Sequence, residues 1–228
     1  MKDCQNFDFG SVASSYDAWY DTDEGRLYDV LEKQAVERML RGREVTGTRL
    51  LDVGCGTGHW SDFFSTKGFV VTGVDVAPEM IAVARRKAIP NAPFAVADAH
   101  SLPFGEGEFD VVAAMATLEF LRDPDTVVRE MARCTRSPGG LLLVGGLNAL
   151  APINIRRQAA EELPYTCARF FTAREVSELL NPYGNVRVAV SAFAPRFSAV
   201  WRLASLTDFV GRLLHSPVGA WIVGRAIR

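Results

Sequence analysis

Seven consecutive residues, Asp52-Val53-Gly54-Cys55-Gly56-Thr57-Gly58, place glycine at every second position directly after the apolar pair Leu50-Leu51. Glycine reaches positive φ and carries no Cβ, so backbone here can turn sharply and lie against a ligand. A helix starting near Gly58 directs free N–H groups back to the same point. The spacing is not the G-x-G-x-x-G of dinucleotide sites. Asp52 lies inside the turn, where it repels a pyrophosphate and suits a cationic ligand. Both features count against a nicotinamide-dependent oxidoreductase.

The elements that must position this turn follow from periodicity. Between residues 48 and 146, short apolar runs alternate with helical patterns, the mark of βα units in a parallel sheet covered on both faces. Strands are predicted at 48–53, 69–75, 93–97, 109–115 and 141–145, with helices at 59–67, 78–88 and 124–134. Pro78 suits the first turn of its helix. An amphipathic helix is expected at 27–40, and Thr172-Ala173-Arg174-Glu175 forms a capping box for a helix at 173–180. Further strands are expected at 185–193 and 220–225. Ligands of such sheets bind beyond the carboxyl ends of the strands. That rule makes residues before 27, and the connections 147–171 and 194–219, candidates for the roof of a site. Val200, Leu203, Leu206, Phe209, Val210, Leu213 and Leu214 give the last connection an apolar helical pattern.

Bulk properties narrow the classes. The 228 residues are 48% hydrophobic and 23% charged, with net charge −2, which demands neither nucleic acid nor membrane as partner. Residues 151–228 nevertheless hold ten basic residues, all arginine, against five acids; this suits a solvated surface or an anionic or lipid-associated substrate. Cys4, Cys55, Cys134 and Cys167 are widely spaced, which argues against a metal or disulfide framework and for a reducing, cytoplasmic setting. No segment resembles a signal peptide or a transmembrane span.

The glycine turn, with acids at 75 and 98 after the second and third strands, resembles the class I S-adenosylmethionine-dependent methyltransferases, of the type 11-like small-molecule kind. The resemblance is good over residues 14–182 and looser in the last strand. It implies a doubly wound, mostly parallel seven-stranded α/β sheet of Rossmann-like form, with an antiparallel last strand inserted between strands five and six. It also implies one domain over 1–228: an N-terminal lid and helix (1–47), a cofactor-binding core (48–146), and a C-terminal half (147–228) carrying substrate-side insertions at 147–171 and 194–219.

By that resemblance S-adenosyl-L-methionine, leaving as S-adenosyl-L-homocysteine, is held by Asp52, Gly54, Cys55, Gly56 and Gly58. Asp75 takes the ribose hydroxyls, though it also suits the acid of a helix N-terminus. Val76 and Met80 flank the adenine, while Asp98 and the backbone of Ala99 meet its edge. Backbone at Ala116 and Thr117 runs beneath the cofactor. Tyr16, in Tyr16-Asp17-Ala18-Trp19, reaches its carboxylate or packs as part of a lid. Glu119 is a weak catalytic candidate, equally suited to capping a helix or pairing with an arginine; His100 is a weaker one. The acceptor is expected to be small and, from the apolar content of 190–222, partly greasy. A homodimer through an exposed edge or the apolar 200–214 helix is compatible with the pattern, and a non-catalytic cofactor-binding module is the alternative function.

Overall fold

The computed structural model describes residues 7–194 and 202–228; Cys4 and Val200 lie outside them. Two 3₁₀ turns, Phe9–Val12 and Tyr16–Asp21, precede the first helix, α1 (Asp23–Leu40). The chain then runs β1 (Arg49–Val53), α2 (His59–Thr66), β2 (Val70–Asp75), α3 (Pro78–Arg86), β3 (Phe94–Val96), β4 (Val111–Met115), α4 (Pro124–Cys134) and β5 (Leu141–Leu147). It continues through α5 (Pro152–Ala159), α6 (Ala173–Leu180), β6 (Asn185–Ser191), α7 (Ala204–Leu213) and β7 (Trp221–Ile227).

The sheet has seven strands in the order β3-β2-β1-β4-β5-β7-β6. β7 runs antiparallel to both its neighbours, and the pairs β1–β2, β1–β4, β2–β3 and β4–β5 are parallel. Successive side chains of each strand point to opposite faces. Leu50, Val71, Val111 and Leu141 pack with α1 and α2; Leu51, Val74, Val112 and Leu142 pack with α4 and α6. Both faces are therefore dry, as the continuous apolar strands require. The strand ends β1, β2 and β4 come together at one edge, where the order reverses beside β1.

Three elements differ from the sequence expectation. α1 begins at Asp23, four residues early, because Thr22 caps it: its Oγ1 accepts from Gly25 N–H at 2.9 Å and donates to the Trp19 carbonyl at 2.7 Å. α5 lies in the 147–171 connection, for which no helix is predicted from the sequence. α7 docks in the sense opposite to its apolar pattern. Its buried residues are Ala204 and Asp208, while Leu206, Phe209 and Leu213 are exposed. Asp208 Oδ1 accepts from Ser191 Oγ and from the N–H of Ala192, at 3.0 and 2.7 Å. These bonds close the end of β6 and set the helix orientation. The expected capping box is present, with Thr172 and Glu175 bonded reciprocally. No helix among the described residues is long and apolar enough to cross a membrane.

Thr22 joins the second 3₁₀ turn to α1, so Thr22→Ala is expected to lower stability by about 1 kcal/mol. A urea midpoint equal to that of the wild type would show that the cap does not hold α1.

Candidate functional site

The turn after β1 passes through Gly54, Gly56 and Gly58 with φ of +70°, +52° and +82°. Its backbone is held from both sides. The N–H groups of Gly54 and Cys55 donate to the Val74 carbonyl at 2.8 and 2.9 Å. Asp75 Oδ2 accepts from Gly56 N–H and Oδ1 from Ala77 N–H, each at 2.9 Å. Asp75 is thus both the acid at the start of α3 and a clasp on the glycine turn. Burial raises its pKa, against the pull of these two amides. On the β4 side Thr117 Oγ1 lies 3.0 Å from the Met115 carbonyl and 3.2 and 3.3 Å from those of Val53 and Gly54. A Cβ on residue 54 would stand 2.2 Å from Thr117 Cγ2, so that packing requires glycine. At residue 56 the nearest atom to a Cβ is Met80 Sδ, at 4.0 Å. There a side chain would meet only the Met80 thioether, in ordinary contact, so the backbone is uncrowded.

The other sequence candidates divide by exposure. Asp52 is only 1% exposed. It accepts the Ser61 hydroxyl at 2.6 Å, which ties β1 to α2, and burial pushes its pKa up to about 7. It was expected inside the turn facing a ligand; the Ser61 bond instead holds it beneath. Met80, expected as one of two apolar walls, is buried among protein atoms, whereas Val76 is 69% exposed at the strand edge. The Cys55 thiol is buried too. Asp98 follows β3, two residues beyond Val96, which pairs with Asp75. It is exposed, and its Oδ1 accepts from the His100 backbone and meets His100 Nδ1 at 2.9 and 2.8 Å. These contacts lower its pKa. Ala99 packs next to it against the α4-side core. Ala116 leaves β4 with φ of +51°, a left-handed conformation that costs a residue with a Cβ.

The N-terminal turns lie across these strand ends. Asp17 accepts the hydroxyl of Thr57, in the glycine turn, at 2.6 Å and pairs with Lys87 at 2.7 Å. Tyr20 stacks on His59, centroids 3.6 Å apart, and His59 Nε2 meets Asp29 of α1 at 2.7 Å. Phe9 packs edge-on against Phe120, beyond β4. His59 is therefore a fastening for the lid, and Trp60 is core, stacked on Trp221.

Under the lid lies a cavity of about 1030 Å³. Tyr16, Tyr20, Ala116, Trp60 and Trp221 line it together with Tyr165, which follows α5. Of the described apolar residues of 190–222, Trp221 alone lines it, and the exposed Leu206, Phe209 and Leu213 of α7 do not. Arg157 of α5 lies over the Tyr165 ring at 4.8 Å and pairs with Glu24 at 3.0 Å. Two buried carboxylates lie near one another in this region, and of the two only Glu32 lines the cavity. Glu119 Oε1 accepts from Leu147 N–H at 2.6 Å, its Oε2 is without a partner among the described residues, and burial pushes its pKa up to about 7. Glu32 of α1 lines the cavity directly, with its pKa pushed up by burial to about 8. Glu32 was missed in the sequence. The signal was an acid breaking the stripe Tyr28, Leu31, Ala35, Met39.

The chain matches the Methyltransferase domain family over residues 51–144. It is 32% identical over 212 residues to the malonyl-[acyl-carrier protein] O-methyltransferase of Serratia marcescens, covering 92% of this chain and 75% of that protein. It is 33% identical over 178 residues to an uncharacterised protein of Mycobacterium tuberculosis, covering 77% of this chain but only 59% of the relative's length. A solved S-adenosylmethionine-dependent methyltransferase from Thermotoga maritima superimposes with TM-score 0.72 at 20% identity, over 96% of this chain and 97% of that one; at that identity the likeness is one of fold. The fold and turn define a class I methyltransferase. The chain belongs to the S-adenosylmethionine-dependent methyltransferases.

Glu119 allows a check on the electrostatics of this site. Its folded pKa lies near 7, above the ordinary glutamate value. The stability it contributes is full below the unfolded pKa and is lost as pH rises through 7. Glu119→Gln cannot ionise and retains the acceptor for Leu147 N–H. Its melting temperature relative to wild type is expected to rise between pH 5 and pH 8. An offset independent of pH would mean that Glu119 is not held protonated by burial.

Proposed function

We propose that this methyltransferase acts on a small, partly apolar acceptor in the cavity beneath the lid, with the methyl donor across the ends of β1, β2 and β4. One observation carries the reading: the glycine turn, clasped by Asp75 and Thr117, leaves the Gly56 backbone uncrowded at the strand ends, and an aromatic-lined cavity reaches the same ends at Ala116. The residues present fit S-adenosylmethionine. Each Asp75 oxygen retains a lone pair beyond its amide bond, the set needed to accept two ribose hydroxyls. Val76 offers an exposed apolar surface, with Asp98 and Ala99 beside it, for the base. Gly54, Gly56 and Gly58 let backbone approach, Asp52 and Cys55 support the turn from beneath, and Tyr16 and the bend at Ala116 and Thr117 bound the methionine end.

When bound, this cofactor supplies a methyl group on a positively charged sulfur. The chain's task is then chiefly geometric. Holding acceptor and donor in line, at near-contact distance, replaces a bimolecular encounter by a positioned one. The lid, fastened through Asp17 to Thr57, keeps water from the reacting atoms. Tyr20 on His59 and Phe9 on Phe120 support the same closure. The cavity volume is at the upper end of small-molecule sites, and the aromatic lining supports an acceptor with apolar surface. The setting we infer is cytoplasmic.

Asp75→Ala is expected to weaken S-adenosylhomocysteine binding by about 1–3 kcal/mol, through lost charge-assisted hydrogen bonds. Calorimetry checks this, with circular dichroism confirming that the variant, which also loses its bonds to Gly56 and Ala77, remains folded. Wild-type affinity in a folded variant removes Asp75 from the donor site.

A further inference from the structure

Glu32 has an environment that the donor site does not explain. It is 8% exposed, lines the cavity, and none of the hydrogen bonds among the described residues reaches its carboxylate. The charges around it are otherwise matched. On α1, Asp29 is bonded to Lys33 at 2.8 Å and to His59 at 2.7 Å. On α5, Arg157 is paired with Glu24 and packed on Tyr165; Arg156, the other guanidinium lining the cavity, is exposed. Beyond β4, Glu119 adds a second carboxylate with one unpartnered oxygen. A buried carboxylate without a donor is costly, and a ligand that brings a donor relieves that cost. A phenolate in this space would face the Glu32 carboxylate and the field of Glu119 near it. An ammonium would meet Glu32 and the π faces of the surrounding rings, both of which attract cations.

From this geometry we infer that Glu32 recognises the methyl acceptor, and that the acceptor presents a basic nitrogen on an apolar body, as an arylalkylamine does. The inference rests on the methyl-transfer reading of the cavity. In the step it implies, the bound ammonium gives one proton to the Glu32 carboxylate. The freed nitrogen lone pair forms the N–C bond to the methyl carbon, and the C–S bonding pair stays with sulfur. The products are S-adenosylhomocysteine and an N-methylammonium, and the Glu32 proton passes to solvent on release.

The test is calorimetric titration of 2-phenylethylamine and its isostere 2-phenylethanol into the full chain, with and without saturating S-adenosylhomocysteine, for wild type and Glu32→Gln. The amine is expected to bind wild type about tenfold or more tighter than the alcohol. Glu32→Gln should lose that advantage, with alcohol binding, S-adenosylhomocysteine affinity and melting temperature little changed. Amine affinity should also rise from pH 6 to pH 8 in wild type, because a protonated Glu32 must release its proton to receive an ammonium; in Glu32→Gln the rise should be smaller. Asp29, Lys33, Arg157 and Glu119 remain in both proteins, so a slope common to both belongs to them. No amine binding, equal affinity for amine and alcohol, or a Glu32→Gln variant that keeps the preference overturns the inference. Failure of S-adenosylhomocysteine to bind either protein sinks the methyl-transfer reading instead, and the titrations without it still decide whether Glu32 selects amines.

Discussion

The turn between β1 and α2 must bring backbone, without side chains, to the edge where three parallel strands end. This constraint organises the surrounding structure. Asp75 and Thr117 clasp the turn from the β2 and β4 sides, and the close packing of Gly54 on Thr117 leaves no room for a Cβ. Asp52 is drawn under the turn to Ser61. The result is a rigid rim, uncrowded at Gly56, whose position is fixed by the central strands and not by loop sequence. Sites that rely on positioning need such a rim, because small misplacements of reacting groups are costly in rate.

The N-terminal turns depend on that rim in turn. Asp17 reaches Thr57, and Tyr20 lies on His59, whose ring is held by Asp29. The lid therefore connects the glycine turn to α1, the helix that carries Glu32. The bend at Ala116 and the carboxylate of Glu32 thus line one cavity beside these turns. Burial then acts on the acids. Glu32 and Glu119 both have raised pKa values because water is excluded, not because a strong partner is near.

Much of this architecture was legible in the sequence because its signals are local. Alternating glycines, apolar strand runs and the Thr172–Glu175 capping box each need only neighbouring residues to be read, and the family resemblance supplied the place of β7. Features that depend on a distant partner were not legible. The apolar period of α7 says that one side is greasy, but not that Asp208 on the other side closes the end of β6. Met80 has the residue type of an apolar wall, yet only tertiary packing shows that it is buried with its sulfur near Gly56. Glu32 was visible as an acid in an apolar stripe, and its meaning emerged only when the cavity was seen beside it.

The most direct measurement is a crystal structure of the chain with S-adenosylhomocysteine. The ribose hydroxyls are expected on the carboxylate of Asp75, with backbone of the Gly56 turn against the ligand and the sulfur beside Ala116, facing the cavity that Glu32 lines. A nucleoside bound away from Asp75, or a sulfur turned from that cavity, would contradict the placement on which the functional reading depends.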